Sequence, residues 1–172
     1  MTRPQTHADG AGTLSSDEVL AEYKAAGAFL DGHFVLSSGR HSGACPQCAR
    51  LPMDAARAER LCRDLAARVR QAIAGPIDMV ASPAMGGAIV GYEMGRQPGV
   101  PAIFFERIDG KLALRRGFDM ALGTRCLMVE DIVTTGQSSR QCIAGIAEAG
   151  GVPAAPAGLP AIKPGSRRLS SG

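Results

Sequence analysis

The sequence predicts an α/β protein whose core is a parallel, doubly wound sheet. Three short apolar runs, at residues 78–81, 102–105 and 127–129, have the length and composition of buried strands. Helical patterns at residues 87–96 and 138–149 follow the first and the third run. Strands that alternate with helices in this way form a parallel sheet covered by helices on both faces. Ligands are therefore expected at the carboxyl ends of the strands.

The composition fits one globular domain. The chain has 172 residues, of which 45% are hydrophobic and 20% charged, and no apolar run reaches the roughly 18 to 20 residues that span a bilayer. The first 14 residues are polar and lack an apolar signal region, so we expect a cytoplasmic protein without a membrane partner. A net charge of +3, no Trp and two Tyr argue against a nucleic-acid partner but suit a small anionic substrate.

The cysteines predict neither a disulfide framework nor a metal site. Their number, five, is odd. Cys62, Cys126 and Cys142 lie in apolar patterns and are expected in the core. Cys45 and Cys48 form a single Cys-Pro-Gln-Cys stretch. A zinc site would need further ligands, and a redox motif would need the two cysteines to open a helix.

The first helix is predicted to follow a disordered tail at residues 1–14. Ser15 and Glu18 have the spacing of a capping box at the start of this helix, and Gly27 is a suitable stop. Residues 29–42 then alternate and turn like a short β-ribbon rather than a core strand. The amino-terminal part is therefore expected to be separate from the parallel sheet.

A second helix is predicted from Asp54, with an apolar stripe along one side. Its other side is rich in arginine, which is typical of a solvated surface. A nucleic-acid interface remains as an alternative, but only this side and the basic tail favour it. The arginines concerned are Arg57, Arg60, Arg63, Arg68 and Arg70.

After Gly151 the alternation of strands and helices ends. A doubly wound sheet should continue with another strand, but prolines interrupt residues 152–156, and proline removes a ladder hydrogen bond. Residues 152–172 contain four of the 11 prolines in the chain. We therefore expect one domain over residues 15–151 with its last strand missing, followed by an extended proline-rich tail.

Two carboxylates and a loop of small polar residues follow the third predicted strand. Glu130 and Asp131 come first, and Thr, Gly and Ser residues then lead into a helix near Ser138. Backbone N–H groups at a helix start suit a phosphate monoester. The carboxylates would repel a phosphate, so they must face hydroxyl groups or a metal ion. A phosphate beside a diol indicates a ribose 5-phosphate.

Two further stretches could serve the same ligand. Residues 82–87 end a strand and open a helix with small residues, so that the backbone can approach a second anion. Residues 106–118 form a loop or hairpin that could close over pyrophosphate, although a basic surface hairpin is the simpler interpretation. Its four cations are Arg107, Lys111, Arg115 and Arg116.

These stretches together resemble the orotate phosphoribosyltransferases, from about Ser16 to Gly151. The resemblance implies the type I phosphoribosyltransferase fold, with a small N-terminal substrate hood at residues 15–52. It also implies that ribose 5-phosphate passes from 5-phosphoribosyl 1-diphosphate (PRPP) to N1 of orotate, giving orotidine 5-phosphate and pyrophosphate. The resemblance of residues 32–42 to the family's hood indicates orotate as the base, because purine-specific relatives have different hood sequences.

The resemblance also implies a role for individual residues. Those matching the PRPP site are Ser82, Gly86, Gly87, Arg107, Lys111, Glu130, Asp131, Ile132, Val133, Thr134, Thr135, Gly136, Gln137 and Ser138. Among them Arg107, Lys111 and Asp131 match catalytic positions, the first two acting on pyrophosphate. Thr134 and Phe34 match positions that contact orotate. Mg²⁺ is implied as a cofactor held mostly by water and substrate, without a dedicated protein ligand, and a homodimer with shared active sites is implied as the assembly.

The chain departs from the family pattern in three places. Residues 43–46 lack the aromatic residue expected after the hood turn, and Ile108 and Ala113 replace polar residues of the basic loop, for which Arg115 and Arg116 could compensate. Relatives also continue with a strand that ends in an Asp-Arg pair whose arginine contacts orotate. Its apparent loss leaves two alternatives open: a phosphoribosyltransferase for another base, or a PRPP-binding regulatory module without catalysis.

Overall fold

The computed structural model describes residues 13–35, 41–132 and 136–159, with the backbone alone at residues 29–31, 34–35 and 41–46. Each helix and strand predicted for these ranges is present, with ends that differ by a few residues. The elements are α1 (Ser16–Ala25), β1 (Phe29–Val35), β2 (His41–Pro46), a 3-10 helix (Cys48–Met53), α2 (Ala55–Ala72), β3 (Met79–Pro83), α3 (Gly86–Arg96), β4 (Ala102–Ile108), β5 (Lys111–Leu114), β6 (Arg125–Glu130), α4 (Gln137–Glu148) and β7 (Val152–Gly158).

The main sheet, as far as the chain is described, has five strands in the order β5-β4-β3-β6-β7. β3 pairs in parallel with β4 and β6, β7 pairs in parallel with β6, and β5 runs antiparallel to β4. The predicted α/β fold class is confirmed. Because β3 and β6 are neighbours that run in the same direction, the loops that follow them open at the same edge of the sheet.

Apolar side chains cover both faces of this sheet. On one face Val80 and Leu127 belong to a core shared with α2 and α3. On the other face Ala81 and Met128 pack with Ile146 of α4. Successive residues of a strand point to opposite faces, so the continuous apolar runs of β3 and β6 correspond to strands buried on both sides.

The two long amino-terminal helices begin where the sequence predicts. Ser15 and Glu18 form the capping box of α1, and Gly27 follows its end with a φ of 58°. Asp54 caps α2 by accepting hydrogen bonds from the backbone N–H groups of Ala56 and Arg57. Each cap of this kind stabilises a helix by about 1 kcal/mol.

The predicted β-ribbon is confirmed where the chain is described. β1 and β2 pair antiparallel in a sheet of their own, with Phe29 opposite Pro46 and Val35 opposite His41. Residues 36–40, at the expected tip of the hood, lie outside the described residues.

The arginine-rich side of α2 is occupied by ion pairs. Arg57 and Arg60 both pair with Glu22 of α1, which joins the two helices. Arg63 pairs with Glu59 one turn away on the same helix. An exposed pair such as Arg63–Glu59 contributes about 0 to 1 kcal/mol, whereas Arg57 and Glu22 are partly buried. The carboxylate partners of these arginines within the chain support the interpretation of this side as a solvated surface.

The sequence left open whether the basic stretch at residues 106–118 is a loop or a hairpin. The structure shows a hairpin, which is formed by the end of β4 and by β5. Ile108 and Lys111 face each other across a two-residue turn made of Asp109 and Gly110. Both turn residues have a positive φ, 49° and 82°. Asp-Gly with two positive φ angles is the type I′ turn that fits the twist of a hairpin.

The expectation of a missing last strand and a tail from residue 152 is wrong for residues 152–158. This segment forms β7, which pairs in parallel with β6 from Arg125 opposite Val152 to Glu130 opposite Gly158. β7 lies at the edge of the described sheet, where a proline is tolerated because one side of the strand needs no ladder bond. Leu159 directly after it is buried in the core. Residues 1–12 and 160–172 lie outside the described residues.

Candidate active site

The loops that follow β3 and β6 meet at the carboxyl edge of the sheet. A Cβ atom added to Gly86 would lie 2.5 Å from Oδ2 of Asp131, and one added to Gly87 would lie 3.3 Å from the carbonyl oxygen of Val129. The first of these distances is shorter than any ordinary carbon–oxygen contact, so only glycine fits at position 86 without a shift. The structure therefore brings the small-residue stretch at 82–87 against the predicted carboxylates.

Ser82 contributes to this edge through its backbone rather than its hydroxyl group. Its side chain is buried, and its Oγ donates a hydrogen bond of 3.4 Å to the carbonyl oxygen of Ile103. A Cβ atom on Gly91 would lie 2.6 Å from the same Oγ, so glycine lets α3 pack directly on β3. The hydroxyl group of Ser82 is therefore used within the core, where it bonds to β4 and packs under α3.

Asp131 is a half-buried carboxylate at the centre of this arrangement. Burial raises the pKa of its carboxyl group above the usual value, because water is removed from the charged form. Backbone hydrogen bonds from Ile132 and from Asp131 itself offset part of this effect. The side chain is therefore a strong acceptor that lacks full hydration, a state that suits the binding of hydroxyl groups.

Glu130 has a different environment from its neighbour. It is buried, with 9% of its surface exposed, and its Oε2 accepts a hydrogen bond from Oγ of Ser139, which is also buried. The two adjacent carboxylates therefore differ in their contacts: Glu130 is held by the first turn of α4, and Asp131 faces the loop after β3.

The start of α4 offers backbone N–H groups without a side-chain cap. Gly136 is the N-cap residue, has a φ of 72°, and has no side chain that could accept from the first turn. Gln137 and Ser138 then open the helix. Uncapped N–H groups together with the helix dipole favour an anion at this position. The predicted loop residues Val133, Thr134 and Thr135 lie outside the described residues.

Arg107 connects the basic hairpin with the start of α4. One of its terminal nitrogens donates to the carbonyl oxygen of Gly110 at 2.8 Å and to Oε1 of Gln141 at 2.9 Å. The other approaches Oγ of Ser138 at 3.5 Å. This guanidinium group is exposed and lies beside the helix start that is suited to an anion, whereas Lys111 is exposed on β5.

Arg116 is paired inside the hairpin. Its guanidinium group donates two hydrogen bonds to Oε1 of Glu106, the shorter one at 2.6 Å. This partner lowers the pKa of the Glu106 carboxyl group. The expected compensation by Arg115 and Arg116 for the missing polar residues of the loop stays a prediction.

The sequence analysis assigned no role to three residues near the site. Gln141 extends the polar start of α4 and accepts from Arg107, which lies 34 residues earlier on β4. Ser139 donates to Glu130, which lies only nine residues earlier on β6. Tyr23 of α1 is buried; burial raises the pKa of its hydroxyl group, with smaller contributions from Cys48 and from the charge of Asp131. Only the folded chain brings these side chains to the site. The side chain of Phe34, the expected orotate contact, lies outside the described residues.

Cys62, Cys126 and Cys142 are buried free thiols, as the sequence predicts. Cys48 is also buried, and its Sγ lies 4.0 Å from the hydroxyl group of Tyr23. Burial raises the pKa of Cys62 and Cys142 to about 12 and that of Cys126 to about 11. Thiols of this kind are inert at neutral pH. The side chain of Cys45 lies outside the described residues.

None of the helices in the described ranges is long and apolar enough to cross a membrane.

Comparison with known proteins identifies close relatives. No family model matches the chain. The orotate phosphoribosyltransferase of Sphingopyxis alaskensis is 53% identical over 146 residues, which cover 85% of this chain and 74% of that protein. That of Maricaulis maris is 42% identical over 194 aligned positions, which cover 91% of this chain and 100% of that protein. Since this chain has only 172 residues, the second relative has positions without a counterpart here.

Solved structures share the fold. The orotate phosphoribosyltransferase of Aeropyrum pernix matches with a TM-score of 0.63 and 24% identity, over 80% of this chain and 76% of that chain. The Mycobacterium tuberculosis H37Rv enzyme in complex with PRPP matches with a TM-score of 0.59 and 20% identity, over 80% of this chain and 78% of that chain. At these identities the likeness concerns the fold, and it confirms the predicted type I phosphoribosyltransferase fold.

The buried charge of Asp131 has a consequence for stability. Folding raises its pKa above the usual 3.8, so the folded chain binds protons more tightly than the unfolded chain, and stability falls as the pH rises through the folded pKa. Substituting Asp131 with Asn should therefore raise the midpoint of thermal unfolding of the ligand-free protein at pH 7. The gain should shrink as the pH is lowered toward 3.8.

Asp54→Asn is the matched control for this measurement. A backbone hydrogen bond from Arg57 is the main cause that lowers the pKa of Asp54, so removal of its charge should not stabilise the fold at pH 7. An Asp131→Asn midpoint equal to or below that of the unchanged protein would show that desolvation does not control this carboxylate.

Proposed function

Because the chain belongs to the orotate phosphoribosyltransferase family, we propose that it transfers ribose 5-phosphate from PRPP to N1 of orotate in the de novo synthesis of UMP. The products are orotidine 5-phosphate and pyrophosphate. The observation that carries the proposal is the close approach of Gly86 to Asp131, which joins the small-residue loop to the carboxylates in one site. Arg107 lies beside the adjoining helix start.

The 5-phosphate group would bind at the start of α4. Backbone N–H groups at the start of this helix and the hydroxyl group of Ser138 are suited to its oxygens. The family resemblance adds Thr134 and Thr135 as contacts. Glu130 and Asp131 then accept hydrogen bonds from the ribose hydroxyl groups, with the backbone of Ile132 between them and the phosphate loop. This layout keeps the carboxylates away from the phosphate, which like charge would repel.

The pyrophosphate group would lie against the loop after β3. The main chain at Gly86 and Gly87 can approach it closely because neither residue carries a side chain. Arg107 and Lys111 on the hairpin supply positive charge as the bond between the anomeric carbon and the pyrophosphate oxygen breaks. Stabilisation of charge on a leaving group is commonly the largest part of such catalysis.

Orotate would attack from the hood side of the ribose. As the pyrophosphate leaves with the electron pair of the broken C–O bond, the ribose carbon takes on positive charge. N1 of orotate forms the new bond to this carbon and gives up its proton to the released pyrophosphate or to water, so no covalent link to the protein is required. The work of the site is orientation and charge stabilisation. Thr134 and Phe34 are the proposed contacts to the base.

The carboxylates at the end of β6 also fit Mg²⁺. This ion prefers carboxylate oxygens, water and substrate phosphates, and supplies charge neutralisation for the pyrophosphate when bound. Within the described ranges, no three His, Cys, Asp or Glu side chains form a group that could hold a metal ion. An ion bound mainly by water and PRPP oxygens needs only Glu130 or Asp131 from the protein.

A homodimer with shared active sites is the proposed assembly, and an exposed apolar stripe on α3 supports it. Met85, Ile89 and Tyr92 are 83%, 56% and 68% exposed. Their spacing of four and three residues places them on one side of the helix. Met85 belongs to the loop that contacts Asp131, so a second copy on this stripe would border the active site. Large exposed apolar patches mark interaction sites.

We also infer a cytoplasmic location. The free thiols in the described part of the chain fit a reducing compartment.

A second candidate function is PRPP binding without catalysis. The observation that favours it is the alignment with the Maricaulis maris enzyme, which contains positions that this chain lacks. A segment that contributes a substrate contact in relatives could be among them.

The test of the proposed function is release of pyrophosphate from PRPP in the presence of orotate and Mg²⁺. Arg107→Ala should lower kcat about 100-fold, the loss typical of one donor that stabilises transition-state charge. Arg63→Ala is the control, since Arg63 is an exposed residue of α2 that pairs with Glu59. Its kcat should equal that of the unchanged protein.

Each other outcome has a definite meaning. Turnover with a different base, but not with orotate, would reassign the chain to a sister transferase. Calorimetric binding of PRPP without turnover on any base would establish the regulatory alternative. An unaffected kcat in Arg107→Ala would remove the hairpin from the mechanism.

The dimer is tested by light scattering on variants of the α3 stripe. Ile89→Glu places a charge in the stripe and should convert a dimer of 17.8 kDa chains into monomers. Leu122→Glu is the control, because Leu122 is 92% exposed but lies outside α3. A dimeric Ile89→Glu variant, or an unchanged protein that is monomeric, would contradict the assignment of this surface.

A further inference from the structure

Ser139 is linked to Glu130, the more deeply buried of the two carboxylates at the end of β6. Its Oγ donates to Oε2 of Glu130, and the two residues have 6% and 9% of their surface exposed. We propose that Ser139 is a positioning residue that fixes Glu130 so that its second oxygen, Oε1, receives a ribose hydroxyl group. This inference rests on the proposed function.

The position of Ser139 makes it the donor for this carboxylate. It lies in the first turn of α4, where the helix dipole also favours negative charge. Cys142, one turn further along the helix, lies close enough for the charge of Glu130 to contribute to its raised pKa. A thiol is a weak donor, so the hydroxyl group of Ser139 supplies the stronger hydrogen bond.

The hydrogen bond also sets the distance between two parts of the ligand site. The start of α4 is the proposed 5-phosphate site, and Glu130 at the end of β6 is a proposed diol contact. Ser139 ties one to the other through buried atoms. A glutamate without this bond could rotate about its side-chain torsions, and restoring one orientation on binding would cost conformational entropy. Loss of this hydrogen bond should therefore weaken binding of the diol and leave binding of the phosphate group unchanged.

Two probes separate these parts of the site: ribose 5-phosphate, which has the diol, and inorganic phosphate, which does not. The measured quantity is the dissociation constant of inorganic phosphate divided by that of ribose 5-phosphate. Ser139→Ala should reduce this ratio about tenfold through weaker binding of ribose 5-phosphate, because the freed side chain of Glu130 must then be ordered on binding. Ser139→Thr keeps the hydroxyl group and should restore the ratio.

A double-mutant cycle with Glu130→Ala, which removes the acceptor, tests whether Ser139 acts through Glu130. In the Glu130→Ala background, Ser139→Ala should cause no further change in the ratio. Cys142→Ala is the matched control for a small buried truncation on the same side of α4. It should lower the midpoint of thermal unfolding and leave the ratio as it is in the unchanged protein.

The outcomes distinguish the inference from the function on which it rests. If the unchanged protein binds ribose 5-phosphate no better than inorganic phosphate, the proposed diol site itself is wrong. If it discriminates between them and Ser139→Ala retains the full ratio, the positioning role is wrong. Equal weakening of both ligands in Ser139→Ala, or additive effects in the cycle, would also overturn it.

Discussion

The contact between the main chain at Gly86 and the carboxylate of Asp131 is the constraint on which the candidate site depends. The oxygen and carbon atoms of that carboxylate leave no room for a Cβ atom. The contact exists because β3 and β6 are parallel neighbours, buried on both faces and held in register from Met79 opposite Cys126. The packing of the sheet thus determines the distance between a pyrophosphate loop and a ribose contact.

Charge is arranged around this contact in an order that suits one ligand. The half-buried carboxylate of Asp131 lies against the glycine loop after β3, which is open to one anion. The uncapped start of α4, with the guanidinium group of Arg107 beside it, is suited to another anion. A ligand with a diol between two phosphate groups complements this order, since its hydroxyl groups meet the carboxylate and its anions meet N–H groups and cations. No single one of these features would identify PRPP.

The sequence predicts what depends on local spacing. The capping box at Ser15, the start of α2 at Asp54 and the carboxylate pair after β6 follow from residues close together in the chain. β7 was not predictable because Pro153 and Pro156 argue against a central strand, and its place at the edge becomes evident only in the sheet. The partner of Gln141 comes from the distant strand β4, so a local pattern contains no trace of it. Ser139 and Glu130 are only nine residues apart, but their hydrogen bond becomes evident only in the structure.

The affinity of the chain for PRPP after substitution of Gly86 with Ala, measured by calorimetry, tests the central claim most directly. Gly145→Ala is the control: its Cβ atom would lie 2.7 Å from a ring carbon of Phe105, so it crowds the core of the other face by a similar amount. If the contact with Asp131 builds the site, Gly86→Ala weakens PRPP binding about tenfold or more while Gly145→Ala lowers stability alone. Equal PRPP affinity in Gly86→Ala and the unchanged protein would contradict the account.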